Sequence, residues 1–129
     1  MVHDQHQPSR VFEINLGKVP SLNAFYASKH WMARKKAKDL AYAEVMRQLD
    51  KMEKATFLEC HIEARVNYRY DIDNSIMAVK FSLDAVKDWG LIQDDSPKYV
   101  TSVLIVRDKT IPKDTAKIFF HEGVAQLNL

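Results

Sequence analysis

The chain has 129 residues, 47% of them hydrophobic and 28% charged, with a formal net charge of +2. That length suits one domain with its own core, and the composition excludes a disordered chain, a polycation and a disulfide-held scaffold, since Cys60 is the only cysteine. No apolar run approaches the roughly 20 residues of a membrane span and "MVHDQHQPSR" lacks the apolar stretch of an export signal, so a cytoplasmic, intracellular setting without a membrane partner is expected.

Residues 1–10 are polar and read as a flexible tail, with 11–129 as one folded domain. "VFEINLGKV", residues 11–19, alternates so that Phe12, Ile14 and Leu16 share one face of a half-buried strand. "PSLNAFYASKH" reads as a loop, from Pro20, Ser21 and Asn23. From Trp31 to Met52 the apolar positions Ala37, Leu40, Ala41, Val45, Leu49 and Met52 recur at helical spacing and predict one buried stripe. Lys29, Arg34, Lys35, Lys36 and Lys38 crowd the start of that helix, where the macrodipole favours acids, and this points to an external anionic partner. "TFLECHIEARVNYRY", residues 56–70, predicts a long strand. Its apolar face carries Leu58, Cys60, Ile62, Ala64, Val66 and Tyr68; Phe57, Glu59, His61, Glu63, Arg65, Asn67 and Arg69 take the other, with His61 exposed there.

A second helix is expected to begin at Asp73 or Asn74, both good N-caps, and to end near Asp88 with Gly90 as C-cap. Its core stripe is Ile76, Val79, Leu83 and Val86, and Trp31 and Trp89 are both expected in the core. "DDSP" makes a turn, and strands follow at 99–108 and 116–121. The order is β-α-β-α-β-β. It predicts a single α/β (α+β) domain whose mixed or antiparallel sheet is flanked by two helices.

Acids stand at both ends of the second helix. Asp71 and Asp73 are two apart where a strand ends, so in extended chain both side chains point the same way, and two carboxylates can share a hard divalent cation. Asp94 and Asp95 rejoin them only if the loop after the helix folds back.

Taken together, "DIDN", "KFSLDAV" and "DD", preceded by "VPSLNAFY", resemble the motifs of the RusA-type Holliday-junction resolvases, over roughly residues 11–121. The resemblance implies a Mg²⁺-dependent endonuclease, with Mn²⁺ as a possible substitute. Such an enzyme makes paired symmetric nicks in four-way junctions and related branched DNA, acts in recombination and repair as a homodimer, and has a phage or prophage origin. By position, Asp71, Asp73 and Asp95 become the metal-binding catalytic carboxylates and Lys80 the catalytic lysine. Asn74, Asp84 and Asp94 become supporting residues. Lys29, Arg34, Lys35, Lys36, Arg65 and Arg69 are the expected DNA contacts.

One departure stands out. The family pattern sets its lysine about four residues after the second acid, where this chain has Met77; Lys80 comes three positions later. If wholly helical, that insertion displaces Lys80 by roughly 4.5 Å along the axis and rotates it by about 60°. Either a bulge or loop near Ser75 absorbs it, or Lys80 misses the site. The second outcome would leave a branched-DNA-binding module with impaired catalysis.

Overall fold

The computed structural model describes residues 9–27 and 29–125, so most of the expected tail over 1–10 lies outside the described residues. Arg10 itself is tied to the sheet, its Nη2 donating to Glu122 Oε2 at 2.7 Å. Four strands, β1 (Val11–Leu16), β2 (Cys60–Val66), β3 (Val100–Arg107) and β4 (Ala116–Glu122), form one sheet in the order β1-β4-β2-β3. Three helices join them: α1 (Leu22–Ala27), α2 (Trp31–Leu49) and α3 (Ile76–Trp89), with a 3₁₀ turn, Ile72–Ser75, leading into α3. The result is a single α+β domain with two main helices. The sheet is mixed: β4 runs antiparallel to both β1 and β2, while β2 and β3 are parallel. Among the described residues, no helix is long and apolar enough to cross a membrane.

Alternation decides which side of each strand faces the helices. Phe12, Ile14 and Leu16 from β1, Cys60, Ile62, Ala64 and Val66 from β2, and Ala116, Ile118 and Phe120 from β4 point into one core. Ala41, Val45 and Leu49, four residues apart on α2, meet a broad buried face of α3 across it. On that face Ser82 satisfies its hydroxyl by donating to Ala78 O at 2.8 Å. Gly90, at φ 100°, takes the left-handed conformation that ends α3, as expected.

Several sequence expectations are corrected. The segment after β1 is not all loop, because Ser21 Oγ accepts the Ala24 N–H at 3.1 Å and caps the short α1. Leu40 is 63% exposed: it lies one residue, hence about 100°, from the Ala41 line. Leu58 is 85% exposed and Phe57 is buried, because regular pairing starts only at Cys60 and the Phe57 N–H donates instead to Leu91 O at 2.6 Å. Trp89 is buried against Phe12, but Trp31 is 61% exposed. Ile76 and Leu83 are only partly buried, at the margin of the core. Neither Asp73 nor Asn74 caps α3; Ser75 occupies the N-cap position without a side-chain bond.

The sheet's other face is free of helices among the described residues and is mostly polar. There the directly opposed His61 and His121 stack at 4.6 Å between ring centroids, and His61 Nδ1 lies 3.0 Å from Gly123 O. His61 is thus half-buried in a pair and not freely exposed. Burial, then the neighbouring His61, hold the His121 imidazole below its ordinary pKa. β3 forms one edge of the sheet and leaves Val103, Leu104 and Val106 exposed.

The packing yields a contrast between two apolar side chains. Phe120→Ala is expected to cost about 3–5 kcal/mol, and Leu40→Ala less than about 0.5 kcal/mol, in urea unfolding.

Candidate metal centre and the adjoining cleft

The acids lie on the two segments that flank α3. β2 ends at Val66, and the chain then passes Tyr68 and Tyr70, whose hydroxyls donate to Gly17 O at 2.7 Å and Val19 O at 3.0 Å. Arg107 Nη2 donates to Tyr68 O and Tyr70 O at 3.3 and 3.2 Å, fixing the same stretch from β3. Asp71 follows at once. Its carbonyl accepts the Asn74 N–H at 3.0 Å, closing the 3₁₀ turn that carries Asp73. Asp71 and Asp73 are both exposed.

Asn74 takes a different role from the N-cap expected of it. Its Oδ1 accepts the Asn23 N–H at 2.9 Å, and its Nδ2 lies 3.5 Å from Asp73 Oδ1. One buried amide thus joins α1 to the turn bearing the acids. Next to it, the buried Ser75 hydroxyl has no hydrogen-bond partner among the described residues.

Beyond α3 the loop is anchored by the buried Leu91 and Ile92 and folds back, so that Asp95 lines a cavity of about 350 Å³ together with Lys80 and Asp84. Phe25, Tyr26 and Lys38 complete its other side. Asp94 is half-buried and does not line this cavity. Asp71 and Asp73 also stand outside it, on the turn that Asn74 ties to α1. A larger hollow, about 570 Å³, between β1 and residues 52–55 is lined by none of these acids.

The displaced lysine has a structural explanation. The residues up to Ser75 are spent in the 3₁₀ turn, so α3 starts at Ile76 and Lys80 falls on its second turn. Met77, at the position where the family pattern sets a lysine, is 1% exposed, a poor place for a cation. Lys80 lies one turn further along the same side, exposed, with Nζ 5.9 Å from the centre of the Tyr26 ring. It therefore shares a cavity with Asp95 despite the insertion.

The cations divide. Arg34, Lys35 and Lys38 line a second cavity, about 450 Å³, with Tyr26 and Trp31; Lys35 is neutralised by Asp39 at 2.7 Å. Lys29 and Lys36 are exposed beside them and line neither cavity. Arg65 points to the helix-free face and pairs with Glu63 at 2.7 Å and Asp108 at 3.5 Å. Arg69 lies 3.8 Å from Asp114. Lys38 joins both cavities, a position that periodicity does not reveal.

Among the described residues, no three His, Cys, Asp or Glu side chains gather into a group able to hold a metal ion by themselves. The donors on offer are carboxylates, an oxygen-only set suited to a hard cation, and Mg²⁺ commonly binds through one or two carboxylates while keeping several waters. The residues thus fit a water-rich Mg²⁺ site completed by a substrate's own oxygens, and not a dedicated protein cage. In comparisons with known proteins, no family model matches the chain and no curated protein matches it in sequence.

Removing the Asn74 amide leaves the Asn23 N–H without its partner. Asn74→Ala is expected to lower stability by about 1 kcal/mol, and Ser75→Ala, which deletes an unpaired buried hydroxyl, to leave it unchanged or higher; thermal unfolding separates the two.

Proposed function

We propose that this protein is a Mg²⁺-dependent endonuclease that resolves four-way junctions and related branched DNA by paired nicks, in recombination and repair, as its resemblance to the RusA-type resolvases implies. The observation that carries this reading is the cleft shared by Lys80 and Asp95, next to the turn bearing Asp71 and Asp73. These are the groups the motif order pairs, and they come from opposite ends of α3. Asp71, Asp73 and Asp95 are the residues to hold the ion. When bound, Mg²⁺, or Mn²⁺ in its place, supplies an acidified water and neutralises charge on a phosphate.

The chain's own groups have distinct parts. Lys80 presents a compact cation at the mouth of the cleft, where it meets a phosphate oxygen and offsets the charge that grows on it. Asn74 positions Asp73 and holds α1 against the turn. Asp84 and Asp94 support the acids from α3 and the returning loop. Lys29, Arg34 and Lys36 offer charge to the backbone phosphates from the start of α2, which offsets the repulsion between DNA and exposed carboxylates. Lys35, Arg65 and Arg69 are already engaged by acids of the same chain, so each contributes less.

Two opposed strands of a junction need two sites, which a two-fold homodimer supplies. β3 supports this reading: it is an open edge without proline, and Arg107 at its end is its one charge. Strands left open in solution normally carry more protection than that. A second reading, a branched-DNA-binding module without catalysis, is favoured by the lack of a gathered three-acid set among the described residues.

Two measurements test the proposal. Asp73→Asn is expected to reduce nicking of a labelled four-way junction in Mg²⁺ by at least about 100-fold while leaving its gel shift intact. Full cleavage by this variant removes Asp73 from the site, and a shift without nicks in the unaltered protein favours the binding module. Leu104→Glu is expected to convert a dimer to a monomer in sedimentation with little change in the far-ultraviolet spectrum; an unaltered dimer excludes the β3 edge as its interface.

A further inference from the structure

The cavity beside α2 meets the one at Lys80 and Asp95 along Phe25, Tyr26 and Lys38, so the two form one continuous groove. Its walls carry two aromatic rings that the fold does not cover: Trp31 is 61% exposed and Tyr26 is 59% exposed. Tyr26 is nonetheless fixed in place. It packs edge-on against Phe25 at 5.2 Å, and Phe25 is buried against Phe81 at 5.3 Å. The groove carries both signs of charge. Lys80, Asp84 and Asp95 line one cavity, Arg34, Lys35 and Asp39 line the other, and Lys38 lines both; Arg34 and Lys38, one helical turn apart on α2, have no ion pair among the described residues.

Exposed rings alternating with unpaired cations are what a polyanion with flat, stackable groups requires. A base inside a duplex offers no free face, whereas an unpaired base offers two. We propose that Tyr26 and Trp31 form a stacking platform for an unpaired DNA strand, with Arg34 and Lys38 on its phosphates, leading a nucleotide from α2 toward the acids. The direction of the strand rests on the nuclease reading above. The platform itself does not, and its test works without metal so that the two can fail separately.

In EDTA, oligothymidylate is expected to quench the tryptophan emission of the protein. The quench reports on Trp31, because Trp89 is only 6% exposed. Trp31→Phe keeps a ring, so it retains affinity within about twofold and loses the quench. Trp31→Ala and Tyr26→Ala each weaken oligothymidylate binding by about tenfold and leave affinity for a blunt duplex of equal length unchanged. Lys38→Ala weakens both and flattens the salt dependence. Equal quenching by the duplex, or undiminished oligothymidylate affinity in both alanine variants, overturns the platform. Nicking of a four-way junction in Mg²⁺ is scored separately. Its absence with the quench intact leaves the platform standing and removes the nuclease; normal nicking with no quench removes the platform alone.

Discussion

The parallel pairing of β2 and β3 is the constraint from which the candidate site follows. Parallel neighbours oblige the chain to leave one end of the sheet and return to the other, and here α3 makes that journey. Because α3 crosses the core, it is apolar over most of its surface, with Met77, Ala78, Val79, Phe81, Ala85 and Val86 all buried. Polar chemistry is therefore pushed to the crossover's entry, its exit and the side turned to α1. Asp71 and Asp73 stand at the entry, Asp94 and Asp95 at the exit, and Lys80 on that side. The loop after α3 buries Leu91 and Ile92 and so brings Asp95 back to a cavity shared with Lys80 and Asp84.

The acids are mostly at the surface, so their mutual repulsion is met from outside the core. The cations of α2 complement them across the groove. A cation in the first turn of a helix opposes the macrodipole by about 0.3–1 kcal/mol at an exposed site. The free energy that positions the site is local and polar: the Asn74 amide on the Asn23 N–H, and the Tyr68 and Tyr70 hydroxyls on the carbonyls of Gly17 and Val19. These bonds span about fifty residues of sequence, so the segment after β1 and the acid turn hold one another in place.

Much of the fold was legible because strands with one buried face write it out as alternation. Phe12, Ile14 and Leu16, and Cys60, Ile62, Ala64 and Val66, face the core as their spacing predicts. Alternation failed at Leu58, where the chain had not yet entered the sheet and Phe57 turned inward. Helical spacing failed at Leu40 because a stripe read from hydrophobicity alone is wider than the one that packs. α1 escaped notice since six residues make too short a period to see, although Ser21 was there to cap it. For the site, the order of acids and lysine could be read along the chain, and so could the oddity of Met77. The groove could not: it brings α1, α2 and α3 together, and Lys38 and Trp31 acquire their positions only from that assembly.

Among the described residues β4 is the last strand in chain order, and it lies inside the sheet, between β1 and β2. Without β4, β1 has no strand partner and β2 has only β3. Once β4 docks, its antiparallel pairings with β1 and β2 close the sheet. The groove is lined from α1, α2, α3 and the loop after α3, so β4 completes the core without lining the groove.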